Sequence, residues 1–97
     1  MSSRKQVYLL NLLTQLHTTV DDERIKQSLR AQWESVAHSA PEAIDLRWRP
    51  LYNLCRQHIN DSGNPTHKKC FDLYQHGYEE YVSRFILNDR HVDCSDN

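Results

Sequence analysis

Residues 22–38 read DERIKQSLRAQWESVAH. Ile25, Leu29, Trp33 and Val36 recur there at spacings of four, four and three. With 3.6 residues per turn, that spacing lines up one face of an α-helix, and Lys26, Arg30 and Glu34 fall on the opposite side. An aspartate in the turn just ahead of the stripe, Asp21 or Asp22, can accept from the unpaired N–H groups of a first turn. Asp22 and Glu23 also suit the positive end of the helix dipole. The pattern predicts a helix that fades near His38.

The same period extends in both directions. Upstream, Ser3–Thr18 carries Leu9, Leu12, Leu13, Leu16 and, just beyond, Val20 on one face. Leu10 lies at its edge and Tyr8 outside it. A short turn at Thr19–Asp22 joins the two segments. Downstream, Ser39-Ala40-Pro41-Glu42 reads as a helix start, with Ser39 as the cap and proline in the first turn. Ile44, Trp48, Leu51, Cys55 and Ile59 then share a face. Pro50 interrupts this segment, and an interior proline removes a hydrogen bond and clashes with the preceding turn. A kink is expected there, or a short helix 41–48 with a second from Pro50. Asn60–Pro65 is the strongest break in the chain.

The fourth segment is expected from near Thr66 to about Asn88. Phe71, Tyr74, Tyr78, Tyr81, Val82 and Phe85 occupy an arc of roughly 100°. Gly77 inside it has two readings. It weakens the helix by up to about 1 kcal/mol relative to Ala, or it admits the close approach of another helix. His91–Asn97 reads as a polar tail.

The expected architecture is therefore all-α, a compact bundle of four to five helices with a break or kink at Pro50. Residues 1–90 form its single domain and 91–97 the C-terminal tail. Its core is expected to hold Leu13, Leu16, Leu29, Trp33, Leu51, Phe71, Tyr78 and Phe85. Composition agrees. Ninety-seven residues, 38% of them hydrophobic, suffice for one modest core and not for two. Two glycines and three prolines are too few for a strand-rich sandwich or a glycine-built phosphate loop.

The succession of an amphipathic helix, a proline-punctuated helix with Leu-Tyr-Asn-Leu-Cys and an aromatic helix resembles HEAT-type hairpins of translation-initiation scaffolds. It is also similar to cullin repeats. Each likeness covers about half the chain and rests on Tyr52, Cys55 and the aromatics of the fourth segment. Those are ordinary core positions in helical repeats, so the resemblance implies a helical fold and assigns no functional residue.

Chemistry is sparse. Cys55-x2-His58 and His67-x2-Cys70 straddle the Asn60–Pro65 break, and two thiolates with two imidazoles can close a tetrahedral zinc site. The order is uncommon for zinc modules, however, and Cys55 shares the apolar stripe of Leu51 and Ile59, where a buried free thiol is ordinary. No metal or other cofactor is expected, and Cys55, His58, His67 and Cys70 are the quartet a zinc site would use. No G-x-S-x-G, H-E-x-x-H or Walker loop occurs, and no enzymatic activity is expected.

The net charge of −1, from 12 Lys+Arg against 13 Asp+Glu, lacks the basic excess of a non-specific nucleic-acid binder. Residues 43–70 are locally basic, with Arg47, Arg49, Arg56, Lys68 and Lys69, and Trp48 and Tyr52 among them could stack bases. No run of about 18 apolar residues exists to span a membrane. An odd number of cysteines speaks against a disulfide framework, so a cytoplasmic setting is expected. The chain opens on Met1 without a tag-like stretch and reads as a complete small gene product.

The expected function is thus a non-enzymatic protein–protein interaction module, an inhibitor or adaptor of a phage, viral or plasmid kind, that binds a larger protein. The expected contact residues are Leu46, Arg49, Leu73, Arg84 and Leu87, which fall off the core stripes and are of types that interfaces use. The alternative is a zinc-stabilised or nucleic-acid-contacting module using residues 47–70. Oligomeric state is left open.

Overall fold

A computed structural model describes residues 3–59 and 63–87, and all of its regular structure is helical. The first helix, α1, runs Arg4–Thr19 and the second, α2, Glu23–Ala37. A 3₁₀ segment, Pro41–Arg47, leads into α3, Trp48–Leu54, which ends in a π-helical turn at Cys55–Ile59. The last helix, α4, spans Pro65–Tyr81 and continues as a π-helical stretch, Val82–Leu87. The expected all-α bundle is what forms. The expected tail 91–97, the end of segment four at Asn88 and residues 60–62 of the break lie outside the described residues.

Local chemistry sets the boundaries. Ser3 caps α1 by accepting from the Gln6 N–H at 3.1 Å. Asp22 caps α2, accepting from Arg24 at 2.9 Å and Ile25 at 3.4 Å. Asn64 caps α4 by accepting from Thr66 at 2.9 Å, with Pro65 in the first turn, where its missing N–H costs nothing. The expected Ser39 cap does not form. Ala40 takes that position without a side-chain bond, and the Ser39 hydroxyl donates back to Ser35 O at 2.6 Å. Pro50 falls in the first turn of α3, so the chain absorbs it by changing from 3₁₀ to α pitch just before it.

The α1–α2 hairpin packs along Leu9, Leu13, Leu16, Ile25, Leu29 and Val36, all buried. The other side of the core holds Ile44, Trp48, Leu51, Cys55 and Ile59 from the third segment. Cys70, Tyr74 and Tyr81 of α4 complete it. One polar side chain belongs to this interior. Gln6 is 6% exposed, and its amide donates to Val36 O at 2.9 Å and Ala37 O at 3.1 Å. It thereby satisfies carbonyls that the end of α2 leaves without intrahelical partners.

Two expected core residues are exposed instead. Trp33 is 38% exposed. At 3.6 residues per turn it lies about 60° from the centre of the Ile25–Leu29–Val36 stripe, so its indole covers the hairpin's rim. Tyr78 is 44% exposed, and Phe71 and Phe85 are only partly buried. The buried face of α4 is His67, Cys70, Tyr74, Gly77 and Tyr81, rotated about 50° from the aromatic arc. Gly77 allows that rotation. A Cβ there would meet Leu12 Cδ2 at 2.6 Å, so the missing side chain is what lets α1 and α4 touch.

Candidate functional site

With α4 turned this way, its aromatic edge faces the third segment across an open groove of about 540 Å³. The two elements run antiparallel. At one end the Tyr81 hydroxyl donates to Asp45, and the Tyr81 ring lies 4.9 Å from that of Trp48. At the other end Cys55 and Cys70 lie together in the core. Trp48 and Tyr74, both nearly buried, form the floor. Tyr78 stands over Trp48 edge-on at 5.2 Å and nearly parallel to Tyr74 at 6.4 Å.

Exposed rings and charges line the walls. Tyr52 is 46% exposed, and its hydroxyl accepts from Arg56 at 3.0 Å. Arg49 lies between Tyr52 and Asp45 on the same wall, and Phe71, Gln75, Tyr78 and Glu79 form the facing one. Asp45 pairs with Lys5 at 3.2 Å. Arg49, Arg56 and Glu79 enter none of the ion pairs among the described residues.

Burial keeps the inner groups neutral. Desolvation pushes the Tyr74 phenol up to about 12, with smaller contributions from Cys55, Tyr78 and Tyr52. Desolvation, then the hydrogen bond to Asp45, raises Tyr81. The two phenols therefore keep their protons across the neutral range. Burial also raises Cys55, with Cys70 adding to it, and holds Cys70 up at about 12. The thiolate is the nucleophile and the metal ligand, and both side chains are held in the thiol form.

The expected contact residues do not form one patch. Arg49 lies in the groove, whereas Leu46, 73% exposed, projects from the 3₁₀ segment. Leu73 does not face away from the core as expected but packs against it, on the side of α4 that meets α1. Arg84 pairs with Glu80 at 3.4 Å and lies 5.8 Å over the Tyr8 ring. Leu87 is 54% exposed at the end of the π-helical stretch. Tyr8, outside the α1 stripe by its spacing, is half-buried between Tyr81 and Phe85.

The zinc quartet is likewise not assembled. Cys55, Cys70 and His67 are buried, but His58 is exposed, and His67 turns to Asp22, 3.9 Å away. Among the described residues no three His, Cys, Asp or Glu side chains converge as metal ligands. Of the basic set, Arg49 and Arg56 line the groove, Arg47 is half-buried, and Lys68 and Lys69 are exposed on α4. No helix among the described residues is long and apolar enough to cross a membrane.

The sequence signals for the groove were Tyr52, set among the basic residues of 43–70, and Tyr78, whose spacing placed it on the expected core face of the fourth segment. Comparison with protein-family models, curated proteins and solved structures finds no match for this chain.

Proposed function

We propose that this chain is a small cytoplasmic protein-binding module, an inhibitor or adaptor, whose contact surface is the aromatic groove between the third segment and α4. The observation that carries the reading is the pairing of exposed Tyr52 and Tyr78 with Arg49 and Arg56 around a Trp48–Tyr74 floor. Tyrosine, tryptophan and arginine dominate the energetic centres of protein interfaces, the aromatics because they bury large area at low rotamer cost and arginine because its planar fork offers several hydrogen bonds. The Trp48, Tyr74 and Tyr78 rings are also pre-positioned by contacts with one another, which reduces the ordering entropy of binding. Arg49 is the expected contact residue this reading retains. Free, buried thiols at Cys55 and Cys70 support a reducing compartment.

Nucleic acid is the less favoured occupant. Glu79 and Asp45 line the same groove and would repel a phosphate chain laid along it. The test compares the wild-type chain with a Tyr52→Ala/Tyr78→Ala variant as baits in a lysate of the native host, with mass spectrometry of what is retained. A protein held by wild type, lost from the variant and then bound directly in purified form supports the reading. Equal retention by both baits, or loss of the retained proteins after nuclease treatment, overturns it.

A further inference from the structure

Resting on that reading, we propose that the groove's occupant is an extended, proline-containing peptide of about six residues, flanked by a basic residue on one side and an acidic residue on the other. Length comes first. From Arg56 to Asp45 the wall covers roughly three helical turns, about 17–20 Å at 1.5–2.0 Å per residue. A polyproline II strand covers that distance in about six residues at 3.1 Å each.

Hydrogen bonding also selects the extended form. The walls carry hydrogen-bond donors at Arg49, Arg56, Tyr52, Gln75 and Tyr78. The carbonyls of a polyproline II strand have no internal partners and are free to accept from them, whereas those of a docked helix are already satisfied. Proline rings pack on tyrosine faces, and the strand loses little entropy on binding because it is already extended.

Charge fixes the flanks. Because the two walls are antiparallel, Arg56 lies at the Phe71 end and Glu79 at the Asp45 end. Asp45 is already compensated by Lys5 and Arg49 lies midway along the wall, which leaves Glu79 as the acidic group at one end and Arg56 as the basic group at the other. A peptide with an acidic residue at the Arg56 end and a basic residue at the Glu79 end complements both.

The experiment is selection of random dodecapeptides by phage display on the full 97-residue chain, followed by fluorescence anisotropy with labelled synthetic peptides. The expected winners carry proline between residues of opposite charge. Glu79→Lys should weaken them about tenfold, with recovery when the peptide's basic residue is changed to Glu. Arg56→Glu should be rescued by the converse change. Circular dichroism checks that each variant folds, and both substituted side chains are exposed. Winners that lack proline, or affinities indifferent to these charge reversals, overturn the proposed occupant. If such winners still lose binding on Tyr52→Ala, the groove itself remains the binding surface. Absence of any enriched peptide overturns the occupant too. Winners that bind Tyr52→Ala and Tyr78→Ala as tightly as wild type overturn the groove reading as well. Labelled oligodeoxythymidine that binds wild type and not those variants would replace both with a single-strand reading.

Discussion

The Tyr8 hydroxyl donates a 2.8 Å hydrogen bond to the backbone carbonyl of Gly77, fastening the first helix to the last. That carbonyl is reachable because residue 77 has no side chain. The Tyr8 ring meanwhile packs against Tyr81 at 5.9 Å and Phe85 at 5.7 Å. Tyr8→Phe keeps the rings and removes only the donor. It is expected to lower unfolding free energy by about 1 kcal/mol, the net worth of one such bond. Urea denaturation measures it, and an unchanged midpoint would show that the bond contributes nothing.

Gly77→Ala sets two effects against each other. Helix propensity favours Ala by up to about 1 kcal/mol. The new Cβ would sit 2.6 and 2.8 Å from the Leu12 methyls, and Leu12 is 6% exposed, so its side chain has to shift within the packed interface. Overpacking of this kind costs about 1–3 kcal/mol, so a net loss of about 1 kcal/mol is expected. The paired variant Leu12→Ala/Gly77→Ala should be more stable than the two single losses added together predict, because Leu12→Ala removes the methyls that the new Cβ would meet. A stabilised Gly77→Ala protein would show that α4 shifts freely over α1.

This contact also marks where the sequence stopped being informative. The α1 and α2 stripes and the Ile44–Ile59 face were legible because aliphatic residues there coincide with the buried positions. On α4 they do not coincide. Hydrophobicity points to Phe71, Tyr78 and Phe85, while the closest helix approach is at a glycine and the interior takes His67 and Cys70. Gln6 was illegible for a related reason. Its burial depends on carbonyls at the end of a different helix, and nothing near position 6 signals them. The groove residues were each visible as aromatics or arginines, but the rotation that brings them together was not.

The corrected faces change what substitutions should do. Leu73→Asp places a charge where the side chain packs against the core, and the melting temperature should fall sharply, by several degrees or more. Leu46→Asp, at a position 73% exposed, should leave it nearly unchanged. Trp33→Ala should cost about 1–2 kcal/mol, less than Leu29→Ala at about 2–5 kcal/mol, because the indole is partly solvated and leaves no closed cavity. Thermal melts of the four variants rank them, and a Trp33→Ala loss exceeding that of Leu29→Ala would place the indole in the core.

The α1–α2 turn is tied to the start of α4 through Asp21, whose carboxylate accepts from Asn64 at 2.8 Å and Thr66 at 3.1 Å. Those two bonds, Asn64 first, hold its pKa below the usual carboxylate value. A carboxyl group whose pKa is depressed by folding stabilises the fold above its unfolded pKa. That contribution is lost as pH falls through the depressed value. Acid unfolding should therefore include a component below the ordinary carboxylate range that Asp21→Asn removes. The variant should match wild type most closely at the acid extreme and fall behind as pH rises toward neutrality. A constant difference between the two across the whole titration would mean that the bonds do not distinguish carboxylate from carboxylic acid.

Cys55 and Cys70 give a readout of core opening. Both are fully buried, and desolvation keeps them as thiols well into alkaline solution. Disulfide-exchange reagents attack through the thiolate, so labelling requires exposure followed by ionisation. In a Cys94→Ser background, the native protein at mildly alkaline pH should resist labelling, and both thiols should react at once in strong denaturant. The native rate should follow the opening equilibrium. It should therefore rise about fivefold in Tyr8→Phe if that variant loses about 1 kcal/mol and labelling proceeds through global unfolding. Rapid labelling of either cysteine in the folded wild type would mean that the α3–α4 end opens locally. A rate unchanged by Tyr8→Phe would separate that opening from the α1–α4 contact.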